Sequence, residues 1–382
     1  MSTSPARMHT EGLVVRAIEL RDLDGLLALA QQAGGGMTTL KPDRDKLAQR
    51  VEIACASFAA SIPPLQRDYL FVMEDLTQRK GPEVSRGQSQ GRLAGVCAIK
   101  AAVGLEESFY NYRIGTLVHS SKELGVYSPM DTLYLASDLT GSGELCSLYL
   151  HPDYRHGENG KLLSKSRLLF IAQYPHLFPQ RLIAELRGFQ RRDGSSPFWD
   201  SLGRHFFKMG FDRADDLSSL DKKSFIAELM PRYPLYIALL PQEAQDVIGR
   251  VHEASAPAQR MLEQEGMHFE GYIDIFDAGP VLQGRCRELR IVRDSVLAQI
   301  DGQSETGNSN AAPPTMLIAN TVMSRFRVIA GSSVPTQSRS HSKLHLSPAA
   351  QQRLECVSGD AVRCVTLRDE HHERHERYER PA

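Results

Sequence analysis

Long apolar runs and paired cysteine motifs are both missing from this chain of 382 residues. No apolar stretch approaches the roughly 20 residues that a membrane-spanning helix needs, and residues 1–12 lack the apolar core of a secretory signal. The six cysteines are scattered without a CxxC pair, which excludes the usual zinc and short disulfide patterns. We therefore expect a cytoplasmic protein with reduced thiols, no metal and no membrane contact.

An excess of charge is also missing, since 45 Lys and Arg residues face 46 Asp and Glu residues and give a net charge of −1. A balanced chain has no broad positive field that would attract nucleic acid, so any anion site must be local. Hydrophobic residues make up 41% and charged residues 24%, as in ordinary globular proteins. The length favours two or three domains of roughly 150 residues each.

The order of the apolar patterns predicts an α/β (α+β) fold. Alternating or β-branched runs predict strands, and apolar residues at helical spacing predict helices. The chain opens with a strand, two helices and two strands, and a strand, a loop, a helix and a strand follow. The predicted strands are 13–18, 69–74, 93–103, 145–150, 182–186 and 271–276, and the predicted helices are 22–30, 43–58, 157–172, 198–207, 241–251 and 256–265.

The composition changes towards the C-terminus. Residues 303–314 are polar and rich in Pro, Gly and Asn, which indicates a loop. Short alternating or β-branched runs at 315–320, 326–330 and 361–368 then predict a small β-rich subdomain. The last segment, 369–382, is charged and rich in His, so we expect a solvated tail.

The most informative segment, residues 144–163, combines an apolar strand, a turn, a glycine-bearing loop and the start of a helix. Unpaired N–H groups and the positive dipole end at a helix N-terminus attract anions, and Gly157 and Gly160 would let the backbone approach a pyrophosphate. Taken alone, two glycines before a helix more often form only a tight turn. Three basic residues of the predicted helix lie near enough in sequence to help neutralise phosphate charge: Lys161, Lys165 and Arg167.

The whole string resembles the acyl-CoA site of the GNAT superfamily. The likeness rests on the apolar strand, the letters HPDYR at 151–155, the glycine loop and the two leucines of the helix. The superfamily pattern Arg-x-x-Gly-x-Gly would place a glycine at Glu158, where this chain has a carboxylate. Either Gly157 takes over that role, or Glu158 weakens pyrophosphate binding or points away.

Further strings make the chain similar to the arginine N-succinyltransferase family. They are SFYNYRIGT at 108–116, SDLTG at 137–141, SPFW at 196–199, KSFIAELMP at 223–231, AQDVIG at 244–249 and YIDIFDAGP at 272–280. The likeness runs from Leu13 to Ala330 and thins towards the C-terminus. It implies a GNAT-like mixed sheet with flanking helices, to which an internal echo in the sequence adds a tandem second half.

We divide the chain accordingly into five segments. They are a flexible N-terminus (1–12), a GNAT-like acyl-CoA-binding domain (13–235), a second α/β segment (236–300), a β-rich subdomain (301–368) and a charged tail (369–382). The tandem halves and the β-rich piece are compatible with a homodimer, or with a heteromer that includes a paralogous chain.

The resemblance implies an enzyme that moves a succinyl group from succinyl-CoA to the α-amine of L-arginine, giving N2-succinylarginine and CoA in arginine catabolism. Succinyl-CoA is then a co-substrate, and neither a permanently bound cofactor nor a metal is expected. The family's succinyl-CoA contact falls on Leu148 and its proton donor on His252. Gly157, Asn159 and Gly160 belong to the predicted CoA loop.

Succinyl transfer needs a neutral amine, a polarised thioester carbonyl and a proton for the departing thiolate. A strand that splays near Leu148 would aim a backbone N–H at the developing oxyanion, so this residue can be apolar. His252 has an unperturbed pKa near 6.5 and can protonate the sulfur. A covalent route through Cys146 has less support, because a thiol within a buried strand is more often a small apolar filler.

Two other interpretations stay open. The acceptor can be ornithine instead of arginine, because the acceptor pocket does not follow from residue spacing. Alternatively, the chain can be a catalytically silent subunit that binds acyl-CoA within a heteromer, an interpretation motivated by Glu158 in the glycine loop.

Overall fold

Sixteen strands frame the part of the chain that the computed structural model describes, which comprises residues 12–34, 37–78, 91–211, 213–214, 228–231, 233–301, 314–333, 335–337 and 342–368. Many of these strands are rich in β-branched and aromatic residues, which fit a pleated, half-buried surface. The strands are β1 (Leu13–Ala17), β2 (Asp68–Asp75), β3 (Arg92–Lys100), β4 (Asn111–Ser121), β5 (Val126–Ala136), β6 (Gly143–Leu150), β7 (Arg181–Glu185), β8 (Leu235–Tyr236), β9 (His268–Ile273), β10 (Pro280–Arg285), β11 (Val296–Asp301), β12 (Thr315–Asn320), β13 (Arg327–Ser332), β14 (Thr336–Gln337), β15 (Ser342–His345) and β16 (Ala361–Thr366).

These strands join one mixed sheet in the order β14-β15-β11-β16-β12-β13-β1-β2-β3-β6-β7-β10-β9-β4-β5-β8. The pairs β6–β7 and β11–β15 are parallel, and the other neighbouring pairs are antiparallel. The C-terminal strands extend the main sheet, because β13 pairs with β1 where Val328 faces Val15. The prediction of a mixed α/β fold is confirmed.

Nine helices lie entirely within the described residues, and several begin or end at residues with a clear local role. Asp43 accepts hydrogen bonds from the N–H groups of Asp45 and Lys46 at the start of the second helix, while Gly34, with a φ of 72°, follows the end of the first. The helices are α1 (Leu23–Ala33), α2 (Arg44–Phe58), α3 (Asn159–Gln173), α4 (Pro197–Ser201), α5 (Gly203–Phe207), α6 (Gln242–Gln245), α7 (Ala256–Gln264), α8 (Arg290–Asp294) and α9 (Pro348–Leu354).

The central strands separate two apolar clusters. Leu163 and Phe170 of α3 pack with Phe71 of β2 in one cluster. Leu29 of α1 packs with Val72 of β2 in another. Successive residues of a strand point to opposite faces of a sheet, so Phe71 and Val72 serve different clusters. Helix α3 therefore covers one face of the central sheet, and α1 and α2 cover the other.

Some predicted elements differ from the structure. The helix predicted at 241–251 is only the single turn α6, and Gly249 leaves the helical region with a φ of 72°. The helix predicted at 198–207 is broken into α4 and α5 at Leu202, whose φ of −129° and ψ of −72° are not helical. The hairpin of β4 and β5 is missing from the prediction because much of it is exposed and lacks a continuous apolar pattern.

Several sequence-based predictions lie outside the described residues. They are the flexible N-terminus predicted at 1–12 except for residue 12, the polar loop predicted at 303–314 except for residue 314, and the charged tail at 369–382. The division into five segments stays a prediction. Within the described ranges, no helix combines the length and apolar character needed to cross a membrane. The same ranges contain no group of three or more His, Cys, Asp or Glu side chains placed to hold a metal.

Arg16 of β1 is the centre of a buried ion network. Its Nε lies 2.6 Å from Glu74 Oε2, and its Nη1 lies 2.7 Å from Asp22 Oδ2. All three side chains are buried. Loss of the cation would leave two carboxylates buried without compensation, which is far more costly than the loss of an exposed pair.

We expect Arg16→Met to lower the free energy of unfolding by about 3–5 kcal/mol. The exposed pair of Arg44 and Asp24, 2.7 Å apart, provides the control. Arg44→Met should change the free energy of unfolding by less than about 1 kcal/mol. Urea denaturation of the three proteins measures both effects, and equal effects of the two substitutions would contradict a special role for burial.

Candidate functional site

The parallel strands β6 and β7 part soon after they meet. Only two residue pairs join them, Gly143 with Leu182 and Glu144 with Ile183. Beyond Glu144, β6 runs on to Leu150 and pairs on that side with no strand of the described residues. The carboxyl ends of parallel strands meet at the same edge of a sheet, so the two strands form the walls of a gap that opens at this edge.

A β-bulge changes the direction of β6 beside this gap. Ala98 of β3 faces Cys146, and Val96 faces Tyr149, so a single β3 residue lies opposite Ser147 and Leu148 together. Ser147 has a φ of 51°, which is rare for a residue with a side chain. The bulge therefore changes the direction in which the backbone groups of Leu148, the predicted succinyl-CoA contact, point.

Arg50 of α2 contacts the bulge from the face of the sheet that α1 and α2 cover. Its Nη1 donates a hydrogen bond to Ser147 Oγ at 2.9 Å and another to the carbonyl oxygen of Thr39. Its Nε lies 2.7 Å from Asp68 Oδ2, which compensates the charge. The strained backbone at Ser147 is thus fixed by a side chain that the sequence does not mark as functional.

The predicted CoA loop forms an open N-terminus at α3. Gly157 has a φ of 58°, and a Cβ atom added at Gly157 or at Gly160 would meet no heavy atom within 4 Å. Asn159 is fully buried, and its Nδ2 donates a hydrogen bond to the carbonyl oxygen of Tyr154 at 3.1 Å. The side chain of Asn159 therefore shapes the loop, while the two glycines leave the first backbone N–H groups of the helix uncovered.

Glu158 occupies the position before α3 where the superfamily pattern has a glycine. Its carboxylate lies 3.0 Å from Lys161 Nζ and accepts a hydrogen bond from Arg368 Nε at 3.1 Å. Burial raises the pKa of Glu158, but the hydrogen bonds from Arg368 and Lys161 outweigh burial, so the net pKa is lowered. The carboxylate is thus ionised and paired with two cations.

Two of the basic residues expected near the phosphates are buried. Lys165 Nζ lies 2.8 Å from Glu265 Oε1, and Arg167 donates a hydrogen bond to the carbonyl oxygen of Cys146. Both side chains are almost inaccessible to solvent. The prediction that Lys165 and Arg167 help to neutralise CoA phosphates is therefore wrong, and only Lys161 retains a position near the loop.

His252 lies against the continuation of β7. A β-bridge pairs Gly188 with Val251, and the His252 N–H donates to the carbonyl oxygen of Arg187 at 2.8 Å. The ring nitrogen Nδ1 accepts a hydrogen bond from the Ala254 N–H at 3.1 Å. In the neutral ring the proton is consequently on Nε2, which leaves Nε2–H as the free donor.

The surroundings of His252 disfavour its charged form. Partial burial lowers the pKa of the ring, the positive charge of Arg187 lowers it further, and Glu253 opposes both effects. The net pKa is below 6.5, so the ring is neutral at pH 7 in the protein without ligands.

Leu148 and the α3 loop lie on the β6 side of the gap, and His252 lies on its β7 side. Leu148 and Val251 also pack against the same apolar cluster. Neither of two surface hollows includes a predicted site residue. One, of about 400 Å³, is lined by Asp200, Arg204, His205 and Lys208, and the other, of about 320 Å³, lies between α1 and β3.

Cys146 lies within β6, next to the bulge. Burial raises the pKa of its thiol to about 11, Glu144 adds to the rise, and Arg50 opposes it. A thiol with such a pKa is almost entirely protonated at pH 7, so it is a poor nucleophile. The environment of Cys146 fits the apolar filler expected from the sequence.

Comparison with known protein families identifies the relatives of this fold and site. The family model described as "Arginine N-succinyltransferase beta subunit" matches residues 13–291, and the model of that family's C-terminal domain matches residues 298–366. The chain belongs to the arginine N-succinyltransferase beta subunit family. The resemblance inferred from the sequence is confirmed.

Individual members of the arginine N-succinyltransferase family are similar over nearly their whole length. Proteins named "Arginine N-succinyltransferase" from Escherichia coli O139:H28 (strain E24377A / ETEC) and from Shigella flexneri are each 44% identical over 356 residues, which covers 93% of this chain and 98% of each relative. A solved structure titled arginine/ornithine succinyltransferase subunit AI, from Pseudomonas aeruginosa, is 31% identical with a TM-score of 0.79, and covers 94% of this chain and 99% of that one.

We expect the pKa of His252 to lie below 6.5 and to rise towards 6.5 in Arg187→Gln, because the substitution removes a positive charge that disfavours the imidazolium. NMR titration of the imidazole Cε1–H signal measures the pKa in both proteins. Arg250→Gln is the matched control, since Arg250 instead contacts the ring of Phe189 at 4.5 Å. An unchanged pKa in Arg187→Gln would contradict the assigned cause.

Proposed function

We propose that this chain is an acyl-CoA-dependent N-acyltransferase that moves the succinyl group of succinyl-CoA to the α-amine of L-arginine, giving N2-succinylarginine and CoA. The proposal rests mainly on the separation of β6 from β7 beside the open N-terminus of α3. The chain is also 44% identical to relatives named for this reaction. Succinyl-CoA acts as a co-substrate and leaves as CoA. We place the enzyme in the cytoplasm, as an arginine-degrading enzyme.

The α3 loop would hold the pyrophosphate of CoA. Backbone N–H groups at a helix N-terminus carry partial positive charge, and no side chain at Gly157 or Gly160 blocks their approach. The pairing of Glu158 with Arg368 and Lys161 supports this role, because it compensates the carboxylate that would otherwise repel phosphate. Asn159 would contribute by fixing the loop rather than by touching the ligand.

Leu148 would act through its backbone. The bulge at Ser147 and the absence of a β7 partner beyond Glu144 turn this part of β6 towards the gap. A backbone N–H there would stabilise the negative charge that develops on the thioester oxygen as the amine attacks. This role accounts for an apolar residue at the position.

His252 would supply the proton for sulfur. The neutral amine attacks the thioester carbon, the C–S bond breaks, the nitrogen loses a proton and the thiolate gains one. His252 lies on the β7 wall of the gap with Nε2 as its free ring nitrogen, and in the imidazolium form, which takes up the proton that the amine loses, it would deliver a proton from Nε2 to the sulfur. The proton that the amine releases restores the balance, so no other reactant is needed.

A second candidate acceptor is ornithine, because the solved relative is titled arginine/ornithine succinyltransferase subunit AI. That relative is named as a subunit, so we propose that this chain also assembles, as a homodimer or with a paralogous chain. Steady-state kinetics with each amine separate the acceptors. Binding of succinyl-CoA without arginine-dependent thiol release would instead favour a silent subunit.

We expect CoA thiol release from succinyl-CoA to require arginine and to fall at least about a hundredfold in His252→Ala, the usual low end for loss of general acid–base catalysis. A thiol-reactive dye follows the release. His268→Ala replaces an exposed histidine of β9 and should keep the parental rate. A parental rate in His252→Ala would remove this residue from the mechanism.

Cys146→Ala should retain activity within about threefold, because the thiol is protonated and direct transfer does not use it. Mass spectrometry of the parent mixed with succinyl-CoA alone should show no succinyl adduct on the protein. A covalent adduct on Cys146, together with loss of turnover in Cys146→Ala, would establish the ping-pong route and refute direct transfer.

A further inference from the structure

Arg187 and Gln190 lie just beyond β7, beside the proposed catalytic histidine. Arg187 is half-buried, while Gln190 is only 8% exposed. The two side chains contact each other, since Arg187 Nη2 donates a hydrogen bond to Gln190 Oε1. This hydrogen bond involves neither Arg187 Nε nor Gln190 Nε2.

Both side chains keep a buried donor without a partner among the described residues. These donors are Arg187 Nε and Gln190 Nε2. Arg187 also makes no ion pair with any described carboxylate, whereas Arg16, Arg50 and Arg290 each pair with one at 2.8 Å or less. Buried donors are normally satisfied, so the pair has unused capacity for an acceptor that carries negative charge.

The side chain of Arg187 projects from the same face of the paired backbone segments as the side chain of His252. The bridge between Gly188 and Val251 sets Arg187 opposite His252 across two antiparallel segments, and directly opposite residues project to the same face. The effect of Arg187 on the pKa of the His252 ring agrees with this proximity. An anion bound by Arg187 would therefore lie next to the proposed proton donor.

We propose that Arg187 and Gln190 form a carboxylate-binding subsite that recognises a substrate through its carboxylate group. The proposal rests on the proposed function, because both substrates carry a carboxylate near the reacting atoms. The succinyl carboxylate is three C–C bonds from the thioester carbon, a span of at most about 4 Å, and the arginine α-carboxylate is two bonds from the amine. A guanidinium edge with an adjacent amide N–H matches the two oxygens of a carboxylate.

The CoA phosphates are a poorer match for this subsite. They are assigned to the N-terminus of α3, on the β6 side of the gap, whereas Arg187 lies on the β7 side. A carboxylate beside Arg187 would also offset the positive charge that disfavours protonation of His252. Binding of the correct substrate would then favour the proton-donating form of the ring.

The test compares kcat/KM for four substrate pairs in the parent and in Arg187→Gln. Butyryl-CoA replaces succinyl-CoA without the terminal carboxylate, and L-argininamide replaces L-arginine without the α-carboxylate. If the subsite holds the succinyl group, the preference for succinyl-CoA over butyryl-CoA falls by about ten- to a hundredfold, as for loss of a charged hydrogen bond, and the arginine-to-argininamide ratio stays constant. If it holds the acceptor, the second ratio falls and the first stays constant.

Two outcomes would overturn the subsite. The first is that both ratios remain within about threefold of the parental values. The second is that activity falls equally with all four substrate pairs. Gln190→Leu removes one donor and keeps the charge, so it should move the same ratio by a smaller factor, and it decides the matter if Arg187→Gln does not fold. Arg250→Gln should leave both ratios unchanged. Absence of arginine-dependent thiol release in the parent would refute the proposed function itself, and is thereby distinguished from failure of the subsite.

Discussion

The separation of β6 from β7 is the constraint on which the candidate site depends. Two strands that stayed paired would close the gap with backbone hydrogen bonds. Beyond Glu185, β7 is instead drawn to the opposite side, because the Leu186 N–H donates to the carbonyl oxygen of Pro280 and the Gly188 N–H donates to Asp277 Oδ2 at 2.7 Å. On the side that would face β6, the carbonyl oxygen of Arg187 accepts from the His252 N–H and the Phe189 N–H donates to the carbonyl oxygen of Arg250, so the gap stays open without an unsatisfied strand edge on the β7 side.

Close packing of backbone makes this arrangement specific. Asp277 also accepts a hydrogen bond from the Gly279 N–H at 2.8 Å, and a Cβ atom at Gly279 would lie 2.0 Å from the carbonyl oxygen of Leu186. Burial raises the pKa of Asp277 well above its usual value, and the nearby Asp274 adds to the rise. A buried carboxyl group and a glycine thus fix the end of β7, which in turn positions Arg187 and His252.

Local features of the fold could be predicted from the sequence, and non-local ones could not. The β6 strand, the glycine loop and α3 follow from residues that are adjacent in the chain. The role of Arg50 depends on contacts with Ser147, 97 residues away, so no spacing reveals it. Proximity in sequence alone predicts that Lys165 and Arg167 contact phosphate, yet α3 is buried around most of its circumference and both side chains point inwards. His252 followed only from the family resemblance, since its partner β7 is remote in sequence.

The partners of the buried arginines distinguish charges with a structural role from a charge with a functional role. A buried guanidinium is stable when a carboxylate compensates it, as Glu265 does for Arg290, or when oxygens satisfy its donors, as Ser164 and Cys146 do for Arg167. Among the described arginines, Arg187 is the one with a buried nitrogen that lacks such a partner. Leaving this donor unsatisfied costs stability that the paired arginines Arg167 and Arg290 do not lose. Such a cost is expected at a site where a ligand supplies the missing acceptor. Arg187 lies in such a place, beside His252 at the gap between β6 and β7.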